Sequence, residues 1–324
     1  MMCGGSLMIA VMPTYATVGV AAPVLLVTAR LMQGLSVGAE YGTGATYISE
    51  VSRAGRRSFY GSFQYMTIIA GQLLALLTVA VLQLVLSEQD LKAWGWRVPF
   101  LIGALASIVV VILRRTMRET ATEAGMKSKE SGSLRGLMQH RRAVLLTFTI
   151  TIGCSLYFYT FTAYMQKFLV VSVGIPAPTV SIIMASALVI FMLVQPVFGL
   201  LADKIGVRRN MILFGLLSTF LVIPLLSAIK TVQDPLAAFG LVLAGLLIAA
   251  FYTPVTGVLK ADFYPPTVRA LGVGLPYAVG AAMFGGSAEY VALTFRSLGM
   301  EQYFYLYVAV IGAITLVSAL LMPD

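Results

Sequence analysis

The chain of 324 residues is 59% hydrophobic and 11% charged, and it carries a formal net charge of +9. Its mean hydropathy of +0.91 lies outside the usual balance of soluble globular proteins. Apolar segments of about 20 residues or more, the length that crosses a bilayer, recur along it. The sequence therefore predicts an all-α, polytopic bundle of transmembrane helices. Because the cations fall into short connectors, we expect no nucleic-acid partner, and two separated cysteines do not predict a metal site.

Turn and charge signals divide the apolar sequence into ten predicted helices. They cover about 1–13, 22–50, 58–86, 98–113, 143–170, 179–202, 210–229, 235–260, 270–294 and 302–322. The longest connector, 114–142, is polar and basic. We therefore predict an N-terminal bundle in 1–113, a linker in 114–142 and a six-helix bundle in 143–324.

Lysine and arginine are distributed unevenly between successive connectors. One alternating set of connectors, which includes the linker, contains sixteen of these cations, whereas the other set contains four. Since cytoplasmic connectors of membrane proteins are rich in Lys and Arg, the first set is predicted to face the cytoplasm. Both chain termini are then cytoplasmic as well.

An acid and an arginine seven residues apart occur twice at the cytoplasmic ends of helices. The first pair is Glu50 and Arg57, and the second, 212 residues later, is Asp262 and Arg269. This spacing indicates an internal repeat. When 212 is subtracted from the start of the second bundle, near residue 143, the first bundle is expected to start about 70 residues before Met1. That length holds two helices, so we expect a six-plus-six protein whose first two helices precede this chain.

Arg30 and Glu40 lie within the second predicted helix, where charge is costly and usually faces an interior or a cavity. With the helix centred near residue 36, they lie roughly 9 Å outward and 6 Å inward of the centre. Arg30 either binds a substrate carboxylate or tunes a protonating acid, or it forms a structural ion pair or bonds to helix carbonyls. Glu40 is either the protonatable group of the pathway or a glutamate hydrogen-bonded within the bundle.

Lys167 lies near the outer end of the fifth predicted helix. Tyr157 and Tyr164 share its face by helical spacing, and such a polar stripe on a membrane helix favours a cavity wall. The alternative is that Lys167 extends to the interface. Glu289 lies at a depth similar to that of Arg30, where it either pairs with a cation at an outer gate or makes a structural hydrogen bond.

Weaker pathway candidates are Gln64 and Gln72 on the third predicted helix, because glutamine often joins helices without touching substrate. Tyr252 precedes Pro254, whose missing N–H is expected to produce a bend. Such a bend either exposes backbone carbonyls to a cavity or serves packing alone.

Asp203, Arg208 and Arg209 lie at the cytoplasmic junction of the sixth and seventh predicted helices. They either anchor the helices at the membrane surface or form a gate latch, in which an acid near a helix N-terminus is joined by cations that bond neighbouring helix ends.

Several segments together carry a resemblance to a known family. GLLADKIGVRRN (199–210) resembles the aspartate-and-arginine loop of the major facilitator superfamily, and ARLMQGL (29–35) resembles its arginine-glycine motif. The metabolite:proton symporters, and within them the α-ketoglutarate permeases, are similar to RLMQGLSVGAEYGTGATYISEV, SFQYMTIIAGQLLALL, WGWRVPF, LYFYTFTAYMQKFL, VRALGVGL and FGGSAEYVAL. The similarity covers essentially the whole chain as that family's third to twelfth helices.

The resemblance implies proton-coupled symport of a small organic (di)carboxylate such as α-ketoglutarate in the bacterial plasma (inner) membrane. It implies no cofactor, and we expect a monomer. The residues assigned to the substrate and proton pathway are Arg30, Glu40, Gln64, Gln72, Tyr157, Tyr164, Lys167, Tyr252 and Glu289. Those assigned to the cytoplasmic gate are Glu50, Arg57, Asp203, Arg208, Arg209, Asp262 and Arg269.

Three alternatives stay open at this point. Within the family, the substrate is a zwitterionic osmolyte or a shikimate-like or citrate-like acid. Without its first two helices, the chain is a truncated product that inserts but does not transport. A membrane-embedded enzyme is the third, but the sequence contains no H-E-x-x-H, Walker loop or nucleophile elbow, so we predict that the protein is not an enzyme.

Overall fold

The computed structural model describes residues 1–114 and 132–322 of the chain. These two ranges form helices joined by short turns and contain no strand, which confirms the all-α prediction. Most of the predicted linker 114–142 lies outside the described residues. The bundle boundaries at 113 and 143 remain a prediction.

The helices are defined here in chain order. They are α1 Met2–Ala10, α2 Tyr15–Val18, α3 Ala21–Val51, α4 Arg57–Val85, α5 Glu88–Ala93, α6 Val98–Arg114, α7 Leu134–Gln139, α8 Arg141–Val173, α9 Ala177–Ile205, α10 Val207–Phe220, α11 Val222–Thr231, α12 Pro235–Ala250, α13 Thr256–Asp262, α14 Arg269–Ser297 and α15 Gln302–Leu321. A 3-10 turn, Gly95–Arg97, precedes α6. The long apolar runs of the sequence thus end within a few residues of the predicted positions.

Six helices in the described ranges are long and apolar enough to cross a membrane, and a seventh is added if the bent pair α10 and α11 forms one span. Two shorter apolar segments are Gly95–Val110 and Pro235–Ala250. The multi-spanning architecture is confirmed, whereas the count of ten spans is not.

Two of the long apolar runs are interrupted near prolines, as the missing N–H of proline predicts. The axes of α10 and α11 differ by 49°, and Pro224 lies in the first turn of α11. Pro254 lies in the turn that separates α12 from α13. In contrast, α9 continues through Pro196 without a break.

Two helices contain π turns, which insert an extra residue into an α-helix and occur often at functional sites. In α8 they span Thr160–Tyr164 and Leu169–Val173, and in α14 the turn spans Ala281–Gly285. The first π turn rotates the rest of α8 by roughly 100°. The regular helical spacing that placed Tyr157 and Lys167 on one face is therefore interrupted between them.

The chain divides into two compact units. Unit 1 comprises Met1–Glu40 and Gly71–Ala121, and within it α1 packs against α6. Unit 2 comprises Tyr41–Ala70 and Thr122–Asp324. Within unit 2, α8 packs against α14 and α15, α10 packs against α15, and α9 packs against α12.

Candidate functional site

A lysine is buried in the interior of unit 2. Lys260 lies in the last turn of α13, and its side chain is 1% exposed. Every residue from Thr256 to Ala261 is buried. Because Lys260 ends an apolar run, the sequence predicts that it is one of the sixteen connector cations. That prediction is wrong, because the helix restarts at Thr256 after the break and carries Lys260 into the packed interior.

The amine of Lys260 lies beside a stacked pair of tyrosine rings. Its Nζ lies 5.4 Å from the centroid of Tyr41 and 5.3 Å from that of Tyr277. The two rings stack, with centroids 3.6 Å apart and planes 6° from parallel. Because Nζ is almost equally far from both centroids of this parallel stack, it lies at the edge of the rings and not over either face.

Two further tyrosines extend this arrangement, and we name Tyr41, Tyr65, Tyr252 and Tyr277 the tyrosine cluster. The rings of Tyr65 and Tyr252 meet edge to face with centroids 5.9 Å apart. The hydroxyls of all four tyrosines lie near one another. The sequence singles out Tyr252 alone, since no local pattern links residues on α3, α4 and α14.

The thiol of Cys154 and the hydroxyl of Thr256 adjoin the tyrosine cluster. Cys154 lies near Lys260, and its carbonyl accepts a hydrogen bond of 3.0 Å from the hydroxyl of Tyr252. The hydroxyl of Tyr41 lies next to those of Thr256 and Tyr65. Polar side chains thus surround the buried amine of Lys260.

Gln64 lies beside the tyrosine cluster and contacts both α3 and α13. Its Nε2 donates to the carbonyl of Tyr41 over 3.4 Å. A Cβ added to Gly257 would lie 2.7 Å from Gln64 Oε1, so the glycine permits this approach. Two of the predicted pathway residues, Gln64 and Tyr252, are thus brought together with Lys260.

Other predicted pathway residues of unit 2 lie apart from this cluster or hold structural contacts. The hydroxyl of Tyr157 donates to the carbonyl of Gly245 over 3.2 Å. The ring of Tyr164 lies 5.3 Å from that of Phe304, and its hydroxyl lies next to Ser172 near the end of α8. Their predicted pathway roles remain predictions.

Lys167 and Glu289 form an ion pair with each other. Their side chains are 55% and 37% exposed, respectively. Of the two alternatives for Glu289, pairing with a cation or a structural hydrogen bond, the structure shows a pair, and its cation is Lys167. The exposure of both groups fits an ion pair at the helix ends opposite the basic connectors.

Three predicted pathway residues belong to unit 1. The guanidinium of Arg30 donates to Gln33 over 3.2 Å and lies 5.5 Å from the ring centroid of Phe100. Ser36 donates to Glu40 over 3.5 Å. Gln72 Oε1 is buried and has no partner in the described ranges.

The two acid–arginine pairs of the repeat are joined crosswise. Arg57 donates to both carboxylate oxygens of Asp262 over 2.9 and 2.7 Å, and to Ser49 over 2.6 Å. Arg269 Nη1 donates to Glu50 over 3.0 Å. Each acid therefore pairs with the arginine of the other copy. We name this region, where α3 and α13 end and α4 and α14 begin, the basic end.

Asp203 caps the N-terminus of α4 at the basic end. Its two carboxylate oxygens accept hydrogen bonds from the backbone N–H groups of Ser58 over 2.8 Å and Phe59 over 3.0 Å. An acid at a helix N-terminus is favourable because it bonds unpaired N–H groups and faces the positive end of the helix dipole. A Cβ at Gly199 would lie 2.7 Å from the Ser58 carbonyl, so the glycine permits this approach.

The two arginines of the same loop differ in their surroundings. Arg208 Nη2 donates to the carbonyl of Leu320 over 2.8 Å, so it bonds the last turn of α15. Arg209 is exposed at the surface. The expected bond between a loop cation and a neighbouring helix end is thus present for Arg208.

A buried glutamate that the sequence analysis did not select lies before α15. Glu301 forms an ion pair of 2.7 Å with Lys230 and accepts a hydrogen bond from Ser172. These contacts fasten the ends of α8, α11 and α15 to one another. The sequence placed both Glu301 and Lys230 in connectors and gave no signal for their pairing.

Comparison with known proteins identifies the family. Residues 144–324 match the sequence profile described as Major Facilitator Superfamily, and residues 1–122 match that described as Sugar (and other) transporter. The first match covers more than half of the chain. The chain belongs to the major facilitator superfamily. Its relatives are transporters, not enzymes, and the chain is a multi-pass membrane transporter.

Two curated relatives within the major facilitator superfamily align along nearly the whole chain. The alpha-ketoglutarate permease of Escherichia coli (strain K12) is 53% identical over 99% of this chain and 74% of its own length. A proline/betaine transporter of Salmonella typhimurium is 29% identical over 96% of this chain and 65% of its own length. The first of these confirms the resemblance that the motifs indicated.

Solved structures of the superfamily share the fold. The proton:xylose symporter XylE, bound to 6-bromo-6-deoxy-D-glucose, superposes with a TM-score of 0.75 at 17% identity, over 99% of this chain and 78% of its own. The Escherichia coli fucose:proton symporter FucP gives a TM-score of 0.63 at 15% identity, over 100% of this chain and 83% of its own. At these identities the likeness establishes the fold alone.

Proposed function

We propose that this chain is a secondary active transporter that moves a small organic dicarboxylate, of the 2-oxoglutarate class, together with protons by alternating access. The observation that carries this proposal is the burial of a basic side chain, Lys260, in unit 2 of a chain that is 53% identical to an alpha-ketoglutarate permease. A buried cation is costly unless it is paired. An anionic substrate supplies the missing charge.

The tyrosine cluster complements a carboxylate on Lys260. The hydroxyls of Tyr41 and Thr256, which lie next to each other, are suited to donate to carboxylate or carbonyl oxygens, which only accept hydrogen bonds. Arg30 and Glu40 remain candidates for the pathway within unit 1, with Glu40 as a proton carrier. Lys167 and Glu289 are candidates for an outer gate, because their exposed ion pair joins α8 to α14.

The crossed ion pairs are proposed as the gate at the basic end. Arg57 pairs with Asp262, and Arg269 pairs with Glu50, so that both pairs join helix ends at this end. Partly exposed pairs are individually weak, so they can break and re-form during a transport cycle. In line with the distribution of Lys and Arg, we propose that the basic end and both termini lie on the cytoplasmic side of a bacterial inner membrane. We also propose that the protein is a monomer.

Uptake by the purified chain in proteoliposomes tests the proposed function. Under an inward proton gradient, labelled 2-oxoglutarate is expected to accumulate above its external concentration, and a protonophore is expected to abolish the accumulation. Liposomes without protein provide the control. Unchanged accumulation with the protonophore would exclude proton coupling.

Competition with unlabelled compounds separates the alternatives. Inhibition by 2-oxoglutarate but not by glycine betaine, shikimate or citrate is the expected pattern. Stronger inhibition by one of the other three would reassign the substrate. A folded chain in the bilayer that takes up none of the four would be the transport-inactive product.

A further inference from the structure

A cavity with a basic lining lies in unit 2 at the basic end, and the proposed transport makes no use of it. Its volume is about 380 Å³, within the range of about 300–1,000 Å³ that is usual for small-molecule sites. It lies where α7 ends, α8 begins and α13 ends, and we name it the α7–α8 cavity. Its lining includes the polar residues Gln139, His140, Arg141, Arg142 and Asp262.

The two arginines of the α7–α8 cavity bond only neutral groups in the described ranges. Arg141 Nε donates to the carbonyl of Met138 over 3.3 Å, and Arg142 Nη2 donates to the carbonyl of Leu321 over 3.1 Å. The ion pairs found among the described residues of unit 2 include neither arginine. Because a guanidinium carries five N–H donors, each arginine can bond a ligand as well as its carbonyl.

The charge of Asp262, the acid of the described lining, is already balanced. Both of its carboxylate oxygens accept hydrogen bonds from Arg57, over 2.9 and 2.7 Å, in the crossed pair. The cavity therefore keeps the positive charge of Arg141 and Arg142 and suits an anion. The planar fork of a guanidinium matches a phosphate group, which it can bond through two oxygens at once.

The α7–α8 cavity also lies at the end of a membrane span. Arg141–Val173 is long and apolar enough to cross a bilayer, and the cavity is at its first turns. The short helix α7 packs against α8 and exposes Leu134 and Met138, which lie one helical turn apart. Leu145 on α8 is exposed as well. Cations next to exposed apolar side chains are typical of segments at the boundary between lipid headgroups and acyl chains.

We propose that the α7–α8 cavity binds the headgroup of an anionic phospholipid. Arg141 and Arg142 contact its phosphate, and its acyl chains lie against the exposed apolar side chains of α7. Basic pockets between membrane helices hold anionic headgroups by the same chemistry. The inference does not depend on which solute the chain carries. Since Asp262 belongs both to the cavity and to the crossed pair, the bound lipid lies beside the proposed gate.

Native mass spectrometry of the purified full chain, titrated with phosphatidylglycerol or phosphatidylcholine, tests the proposal. Both lipids contain a phosphate, but the choline of the second cancels its charge. The parent chain should bind its first phosphatidylglycerol at least about tenfold more tightly than phosphatidylcholine, because the cavity is cationic. Arg141→Gln/Arg142→Gln should lower the affinity for phosphatidylglycerol at least about tenfold, because it removes both cations.

Arg53→Gln/Arg56→Gln is the matched control, since it removes two exposed cations of unit 2 that do not line the cavity. It should change the affinity for phosphatidylglycerol by less than about twofold. Arg141→Lys/Arg142→Lys keeps both charges and should keep the preference for phosphatidylglycerol. Equal affinity of the parent for the two lipids would overturn the proposal. So would a folded Arg141→Gln/Arg142→Gln chain that binds phosphatidylglycerol as tightly as the parent does.

Thermal unfolding in detergent distinguishes a lipid from a soluble anion. Phosphatidylglycerol should raise the unfolding temperature of the parent, because a ligand that binds the folded chain stabilises it. Arg141→Gln/Arg142→Gln should lose this rise. Inorganic phosphate should leave the unfolding temperature of the parent unchanged, since it has no acyl chains to contact α7. An equal rise with inorganic phosphate, also lost in the double variant, would assign the cavity to a soluble anion and overturn the assignment to a lipid.

Discussion

At the scale of single residues, the energetics of Lys260 favour a ligand-binding role over a purely structural one. Removing a charged amine from water costs several kcal/mol. The stacked rings of Tyr41 and Tyr277 compensate little of this cost, because Nζ lies at their edge and a cation is attracted to an aromatic face. A residue chosen for stability alone would be apolar at this position, as its buried neighbours Leu259 and Ala261 are.

The crossed pair Arg57–Asp262 provides a prediction at the same scale. In a double-mutant cycle of Arg57→Gln and Asp262→Asn, we expect a coupling free energy of about 1 kcal/mol, since the pair is bidentate but partly exposed. Denaturant unfolding of the purified variants measures it. The control cycle on Lys92 and Glu88, an exposed pair one helical turn apart, should give no more than about 0.5 kcal/mol. Equal coupling free energies in both cycles would contradict the prediction that the bidentate Arg57–Asp262 pair is stronger than an exposed surface pair.

At the scale of helices, the break between α12 and α13 allows α4 to approach closely. Pro254 has its carbonyl against Gly61 of α4, and a Cβ at Gly61 would collide with that oxygen. One turn further along α4, Gln64 meets Gly257 of α13. Small residues at such positions let helix backbones pack closely in membranes. The contact positions Gln64 and Tyr65 beside Lys260.

Gly61→Ala and Gly71→Ala on α4 test this close approach. Gly61→Ala should lower the free energy of unfolding by roughly 1–3 kcal/mol, because the clash is with backbone and not with a movable side chain. Gly71 has no atom within 4 Å of an added Cβ. Gly71→Ala should therefore raise stability by up to about 1 kcal/mol through helix propensity. Thermal unfolding in detergent compares the two, and a Gly61→Ala chain as stable as Gly71→Ala would contradict the packing described.

The sequence predicts the helices and the basic end better than the interior site. Apolar runs mark the bounds of helices such as α4 and α15, because length and polarity are local properties. The repeat selected Glu50, Arg57, Asp262 and Arg269, but the crosswise choice of partners requires the folded chain.

The burial of Lys260 cannot be predicted from the sequence for a physical reason. Distance along the chain gives the depth of a residue only along an unbroken helix, and the break around Pro254 changes that relation. The tyrosine cluster combines residues of α3, α4 and α14 with Tyr252 in the turn between α12 and α13, so no spacing in the sequence links them. The restart of the helix at Thr256, one turn before Lys260, is the signal that points toward its burial.

At the scale of the whole molecule, the proposed transport needs an anion site and a gate. The crossed pairs are the proposed gate at the basic end, and Lys260, buried beside the tyrosine cluster, is the proposed anion site. Alternating access requires that both arrangements open in turn and that substrate and protons move together. The chain spans 74% of the length of the Escherichia coli permease that it resembles, so its own capacity for coupled transport is the central claim to be measured.

Substrate-driven proton movement in proteoliposomes tests that claim most directly. With no initial proton gradient, 2-oxoglutarate added outside should enter down its own gradient and carry protons with it, so the external medium should become alkaline. A pH electrode in a weakly buffered suspension follows this change, and labelled 2-oxoglutarate reports entry in parallel. Proton-coupled transport predicts a pH rise that is abolished by protonophore and absent from protein-free liposomes. Entry of labelled 2-oxoglutarate with no change in external pH would contradict proton coupling.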